Sequence, residues 1–267
     1  MLIELQKTLF NKIYSVLAIS RGTIHHNIFE DFSSLLKSIF FKRISQKASK
    51  ISKHKTQKNI ANFFSRNYSF LTPYARTSLY TVLKGLNIKP GSTILMTPIN
   101  ISPMLDIFEE LELKPFFIDI NLNDFGPDYD QLEKSLKKKP ACFFLTYLFG
   151  YVPDMNYISD CCRKYGVPII EDISQNIGSK FESKYLGNFG IASIYSSSFT
   201  KYVDSYSGSF IITDDDSLSE NIRKITEEFK DPSPLRIQKI ICRTLMWNLL
   251  LNRTIFSIFI YPFLSIL

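Results

Sequence analysis

Three short stretches carry side chains of reactive type at suggestive spacing. In YSSSFTKYVDSYSGSF, residues 195–210, Lys201 follows a run of small hydroxyl residues that begins at Ser196. In VPIIED, residues 167–172, an apolar run ends on Glu171 and Asp172, and Gln175 follows three residues later. In ARTSLYTVLKGL, residues 75–86, Thr77 and Ser78 stand at a helix start, where hydroxyls and free backbone N–H groups can receive an anion. An amine can condense with a carbonyl and carry protons, and a carboxylate can hold a cation beside it. Simpler readings remain open for each residue: Asp172 as a helix N-cap, Lys201 as a solvated loop charge, Thr77 as an ordinary helix-start residue.

Composition removes several other chemistries. The histidines are His25, His26 and His54, so no histidine occurs from residue 55 onward. That argues against Ser-His-Asp and Cys-His enzymes. Cys142, Cys161, Cys162 and Cys242 form no CxxC and lie far from the histidines, which argues against a zinc site or a disulfide framework and fits a reducing cytoplasm. The formal charge is +7 and sits at the ends: no acid falls between Phe32 and Leu105, and none follows Asp231. Such basic flanks suit a solvated face, an anionic substrate or a membrane surface. No zinc-finger or RNA-binding aromatic motif is present, so nucleic acid is not expected. Glu4, Lys7 and Lys12 break the apolar run that a secretory signal would need.

The elements that would position the reactive residues are legible as alternation. TILMT (93–97), PFFID (115–119), CFFLTY (142–147), VPIIE (167–171), IASIYSS (191–197) and SFIIT (209–213) read as strands. Between them, LDIFEELEL, YDQLEKSLKK and MNYISDCCRKYG carry helical i, i+3, i+4 spacing. Strands apolar on both faces, separated by amphipathic helices, predict an α/β fold with a mostly parallel sheet flanked by helices. Lys89-Pro90-Gly91 and Tyr165-Gly166 punctuate it. In such sheets ligands bind at the carboxyl ends of the strands, which is where Asp172 and Lys201 fall.

Three segments follow: a basic, helical N-terminal segment and connector over 1–66, an α/β domain over 67–230, and a basic, apolar helical segment over 231–267. Asn248, Asn252, Arg253 and Pro262 interrupt the last, which argues against a spanning helix. It reads either as core or interface helices or as a helix lying in a membrane interface.

A carboxylate, an amine and an anion cradle at neighbouring strand ends suit pyridoxal 5′-phosphate, which needs an acid beside its ring nitrogen, a lysine for its aldehyde and a phosphate site. The text RTSLYTVLKGLNIKPG, KPFFIDI, LFGYVPDMNYISDCCRKYGVPIIEDISQNIGSKF, LGNFGIASIYSSSFTK and GSFIITDD resembles the DegT/StrS-type sugar aminotransferases of fold type I over roughly residues 70–230. The resemblance implies that Lys201 forms the Schiff base with the cofactor and Asp172 pairs with its ring nitrogen. It implies Gln175 beside the phenolic oxygen, Ser196 on the phosphate, and Arg76 and Thr77 at the helix end that cradles the same phosphate. Ala75 stands where a glycine is usual.

The implied activity is transfer of an amino group from an amino acid, glutamate by expectation, to a nucleotide-linked keto-sugar for surface polysaccharide or a related glycan. The presence of Lys201 favours amino transfer over the dehydrating branch, which lacks that lysine. A cytoplasmic homodimer is expected, with membrane contact through 231–267 as a further reading. Three departures set an alternative beside it, a degenerate, non-catalytic member that binds, regulates or lies at a membrane. Ile101 stands nearest the position of the usual ring-stacking aromatic, the turn after the lysine keeps only Gly208, and the C-terminal region reads as shortened or atypical.

Overall fold

The structure is a computed structural model that describes residues 27–40, 46–199 and 201–264. The sequence readings over residues 1–26 and 41–45 lie outside the described residues. Two compact units emerge, one within Met1–Lys42 and Pro232–Leu267, the other within Arg43–Asp231.

The second unit holds a seven-stranded sheet: β1 (Tyr68–Thr72), β2 (Thr93–Met96), β3 (Lys114–Phe117), β4 (Cys142–Thr146), β5 (Ile169–Asp172), β8 (Ala192–Ser196) and β9 (Ser209–Thr213), in spatial order β1-β9-β8-β5-β4-β2-β3. A separate two-stranded hairpin pairs β6 (Lys180–Phe181) with β7 (Lys184–Tyr185). The pairings from β8 through β5, β4 and β2 to β3 are parallel, and β9 runs antiparallel to both β8 and β1. The strands β1, β2, β4, β5 and β8 therefore end on one rim.

Among the described residues of this unit there are six helices: α2 (Gln46–Phe64), α3 (Ala75–Gly85), α4 (Ser102–Glu110), α5 (Tyr129–Leu136), α6 (Met155–Tyr165) and α7 (Asp216–Glu227), while α1 (Ile28–Phe40) belongs to the first unit. The period-two alternation of the strands other than the exposed edge strand β3 divides their side chains between two cores. On one face Phe143, Leu145, Tyr195 and Ile212 pack with Leu132 and Leu136 of α5 and Met155 and Ile158 of α6. On the other, Phe144, Ile170, Ile194 and Ile211 pack with Leu79 and Leu83 of α3, Phe108 of α4 and Ile222 of α7. Buried side chains of this size each contribute roughly 1.5–3 kcal/mol, so both faces are strongly held. Helix ends follow local chemistry: Asp128, Asp154 and Asp215 accept from the N–H groups of Gln131, Tyr157 and Leu218, and Gly166 closes α6 at φ 69°.

The six predicted strands are present, but three features were not read from sequence. Strand β1 pairs with a single neighbour, β9 reverses direction, and α2 is a helix within the sheet-bearing unit rather than a connector. Among the described residues no helix is long and apolar enough to cross a membrane. The last long helix, α8 (Pro234–Leu250), stops before Asn252, whose side chain caps the following turn by accepting from the Thr254 and Ile255 N–H groups.

Candidate active site

Asp172 is the last residue of β5, in register with Thr146 of β4 and Ile194 of β8. Its position at the carboxyl end of a central strand buries it, leaving 4% of its surface exposed. One oxygen accepts from the Ser174 backbone N–H at 2.9 Å. Burial pushes the Asp172 carboxyl above its ordinary value, while the Ser174 hydrogen bonds and the charge of Lys201 pull the other way. Lys201 thus acts electrostatically on Asp172 from the loop after β8.

Ser174 links this carboxylate to the next strand. Its hydroxyl accepts from the Ser196 backbone N–H at 3.0 Å, and the Ser196 hydroxyl lies 3.2 Å from that of Ser198. The carbonyl of Ser198 in turn accepts from the Lys201 N–H at 3.1 Å. The loop that carries Lys201 is pinned from below by Tyr195, whose phenol donates to the Val203 carbonyl and accepts from its N–H. Ser197 closes the loop's base through bonds with Gly208 and Ser205. Asp172, Ser196 and Lys201 are therefore held as one connected group.

Gln175 sits on the same rim. Its Oε1 accepts from the Phe149 N–H at 3.0 Å, which leaves its Nε2 as a donor. Asn176 braces the same turn, accepting from the Gly150 N–H and donating to the Tyr151 carbonyl. Asn100, after β2, donates to Thr146 Oγ1 at 2.8 Å. Ile101 is largely exposed beside it.

Arg76 and Thr77 open α3, which packs over β8 and β9. The N-cap residue Tyr74 is extended and supplies no side-chain cap, so the first turn keeps backbone N–H groups for an external acceptor. The Arg76 guanidinium lies 4.2 Å from the centre of the Tyr74 ring. No hydrogen bond joins Arg76 or Thr77 to the Asp172 group. Ser78 departs from its sequence reading as an anion donor. It is fully buried, and its hydroxyl bridges Thr72 at 2.7 Å and Ser209 at 2.6 Å, pinning the helix start to β1 and β9.

Sequence reasoning passed over Ser174 and Glu171. Glu171 is also fully buried, but it faces the opposite side of the strand. It accepts from the Tyr147 hydroxyl and from the backbone N–H groups of Gly187, Phe189 and Gly190. Gly190 is required there, because a Cβ would lie 2.3 Å from the Ile169 carbonyl oxygen. The spacing of VPIIED to LGNFG was the available signal.

Ser174→Ala removes the hydroxyl and keeps the backbone N–H, so the Asp172 carboxyl should titrate at higher pH than in the parent. Carboxyl-carbon NMR of the cofactor-free protein reads this directly; an unchanged titration would remove Ser174 from the group.

The residues fit a molecule with a basic ring nitrogen, an aldehyde and a phosphate. A buried carboxylate suits the first, an amine within its field the second, and paired serine hydroxyls with an uncapped helix end the third.

Comparison with known proteins agrees. Residues 29–232 match the model of the DegT/DnrJ/EryC1/StrS aminotransferase family. A "pleiotropic regulatory protein" of Geobacillus stearothermophilus is 31% identical over 149 residues, covering 55% of this chain and 40% of that protein. A UDP-2-acetamido-2-deoxy-3-oxo-D-glucuronate aminotransferase of Pseudomonas aeruginosa is 25% identical, covering 64% and 48%. The chain thus spans less than half the length of these curated relatives. Among solved structures, the E. coli GDP-4-keto-6-deoxy-D-mannose-3-dehydratase with bound hydrated PLP superposes with a TM-score of 0.67 at 16% identity, covering 76% of this chain and 53% of that one. The α/β sheet with helices on both faces is the fold of the type-I pyridoxal-phosphate enzymes, and the chain belongs to the DegT/DnrJ/EryC1/StrS aminotransferase family.

Proposed function

We propose that this chain binds pyridoxal 5′-phosphate on the rim and transfers an amino group from an amino acid, glutamate, to a nucleotide-linked keto-sugar in glycan synthesis. The observation that carries this is the buried Asp172 held within the field of Lys201. When bound, the cofactor supplies an electron sink for negative charge on a substrate carbon. The protein's part is to hold and move protons around it. Asp172, whose burial Ser174 and Lys201 partly offset, would hold a proton at the ring nitrogen. Lys201 Nζ would hold the aldehyde end and would carry the proton that leaves one substrate and enters the other. Ser196 and the first turn of α3, with Arg76 and Thr77, would hold the phosphate. Gln175 Nε2 would donate to the ring oxygen.

A homodimer fits the exposed apolar residues around the rim, Ile99, Ile101, Phe149, Tyr151, Tyr202 and Val203. The related dehydratase makes water loss the competing reaction, and the presence of Lys201 favours amino transfer.

The test supplies isotope-labelled glutamate and a panel of nucleotide-linked keto-sugars, with mass spectrometry of the sugar. The labelled nitrogen should appear on the sugar, and Lys201→Ala should slow transfer by about 10²–10⁴-fold or more. Label that never leaves glutamate with any acceptor would contradict the reading.

A further inference from the structure

Among the described residues no hydrogen bond or ion pair reaches the Lys201 Nζ. Its place against Asp172 is therefore set by the backbone that carries it. That backbone is the connection 197–208 between β8 and β9, which pair antiparallel with Ser196 opposite Ser209. The neck of the connection is closed by the Ser197 N–H on the Gly208 carbonyl at 2.9 Å and by the Ser205 N–H on the Ser197 carbonyl at 3.1 Å. Beyond the neck it stands into solvent, with Tyr202 75% exposed and Val203 52%. Gly208 is its one glycine, and Tyr206 holds φ 66°, a left-handed position that strains residues other than glycine. Such a segment keeps one shape only where something fixed holds it.

Tyr195 supplies the fixed point. It is fully buried in β8, with its ring stacked on Phe210 at 5.1 Å and 30°, and Phe210 lies 5.9 Å from Phe64. Strand alternation turns Tyr195 to the face opposite Ser196, and its phenol meets the connection from the core side. It accepts from the Val203 N–H at 2.8 Å and donates to the Val203 carbonyl at 3.1 Å. A phenol has one proton to give, so this contact commits it to a single residue, two positions beyond Lys201. Burial pushes the phenol above its ordinary value, so it stays protonated and the donor half of the contact persists at neutral pH. Both backbone groups of Val203 are thus tied to a ring that close packing keeps in place.

We propose that Tyr195 is the positioning residue for Lys201, its hydroxyl clamping Val203 so that the amine is held within the field of Asp172. Removing the hydroxyl alone leaves the aromatic stack and the strands in place and frees the segment that carries the amine. This rests on the reading of Lys201 as the reactive amine, but its test is made on the cofactor-free protein, so the two fail separately. The cofactor reading falls if borohydride fixes no cofactor on Lys201 in the parent, whatever Tyr195 does.

The charge of Lys201 lowers the Asp172 titration, which makes the place of the amine readable. Carboxyl-carbon NMR follows that titration in the full chain as parent, Tyr195→Phe, Lys201→Met and the two combined. Tyr195→Phe should move it to higher pH, by less than Lys201→Met does, because the ammonium is displaced and not deleted. In the Lys201→Met background Tyr195→Phe should add nothing, since a residue that acts through the lysine has no effect once the lysine is gone. A tyrosine that only supports the fold would shift both backgrounds alike. Should Tyr195→Phe not fold, the parent decides: its Val203 amide should exchange at least about 10²-fold slower than a free amide, although the residue is half exposed. Three results would overturn the proposal: an Asp172 titration unmoved by Tyr195→Phe, an equal shift in both backgrounds, or a Val203 amide that exchanges like a free one.

Discussion

We expect Asp172→Asn to make the cofactor-free protein more stable at pH 7 and, with pyridoxal phosphate bound as proposed, to weaken that binding about 10- to 100-fold. Both effects come from one burial. The folded carboxyl has its pKa raised above the ordinary 3.8 by desolvation, so the fold prefers it protonated. The stability this group contributes is fully present below about pH 3.8 and is lost as pH rises through its folded value. Ionising the buried carboxyl therefore costs stability, and asparagine removes that cost while still accepting from the Ser174 N–H. The advantage of the variant should shrink toward zero as the pH falls below 3.8. The loss in affinity is that of a charge-assisted hydrogen bond, about 1.5–3 kcal/mol. Calorimetry at pH 7 and at pH 4, with a cofactor titration at pH 7, reads both. A less stable variant at pH 7 would mean that Asp172 is a structural cap and not a strained functional acid.

Glu171→Ala, one residue earlier, behaves in the opposite way. Its carboxylate satisfies three backbone N–H groups in the 187–190 turn and the Tyr147 phenol. Burial, with the charge and hydrogen bond of Glu171, pushes that phenol well above its ordinary value, so it remains a donor. Deleting the acceptor strands all four donors, each costing about 1–3 kcal/mol when left buried, though the turn relaxes in part. We expect a loss of about 4 kcal/mol in urea denaturation, a large fraction of the roughly 5–15 kcal/mol that holds a domain together. Should the variant not fold, Tyr147→Phe removes a single partner and should cost about 1 kcal/mol. A neutral Tyr147→Phe would show that the knot does not support the fold. Two adjacent carboxylates thus part in role through satisfaction: one is saturated by donors, the other is left with Ser174 and a lysine.

That division marks the limit of what the sequence conveys. The strands TILMT, CFFLTY, VPIIE, IASIYSS and SFIIT were legible because residues buried on both faces leave continuous apolar runs, whereas PFFID is an apolar run on an exposed edge strand; Asp172, Ser196 and Lys201 were legible as strand-end residues of reactive type. Strand β1 was not, since YSFLT pairs only with β9 and its polar residues interrupt the run. The direction of β9 leaves no trace in its composition. Ser78 looked equivalent to Thr77 until the helix phase turned it inward onto Thr72 and Ser209. Ser174 was invisible because its role lies in a contact between the turn after β5 and the end of β8 that sequence spacing does not encode.

The most direct test of the central claim is the absorbance of the purified protein with pyridoxal phosphate, before and after borohydride, followed by peptide mapping and set beside Lys201→Ala. The account predicts a visible band that borohydride converts into a permanent cofactor mass on the peptide bearing Lys201, with neither band nor mass in the variant. The same band in both proteins, or the mass on a different lysine, would contradict it.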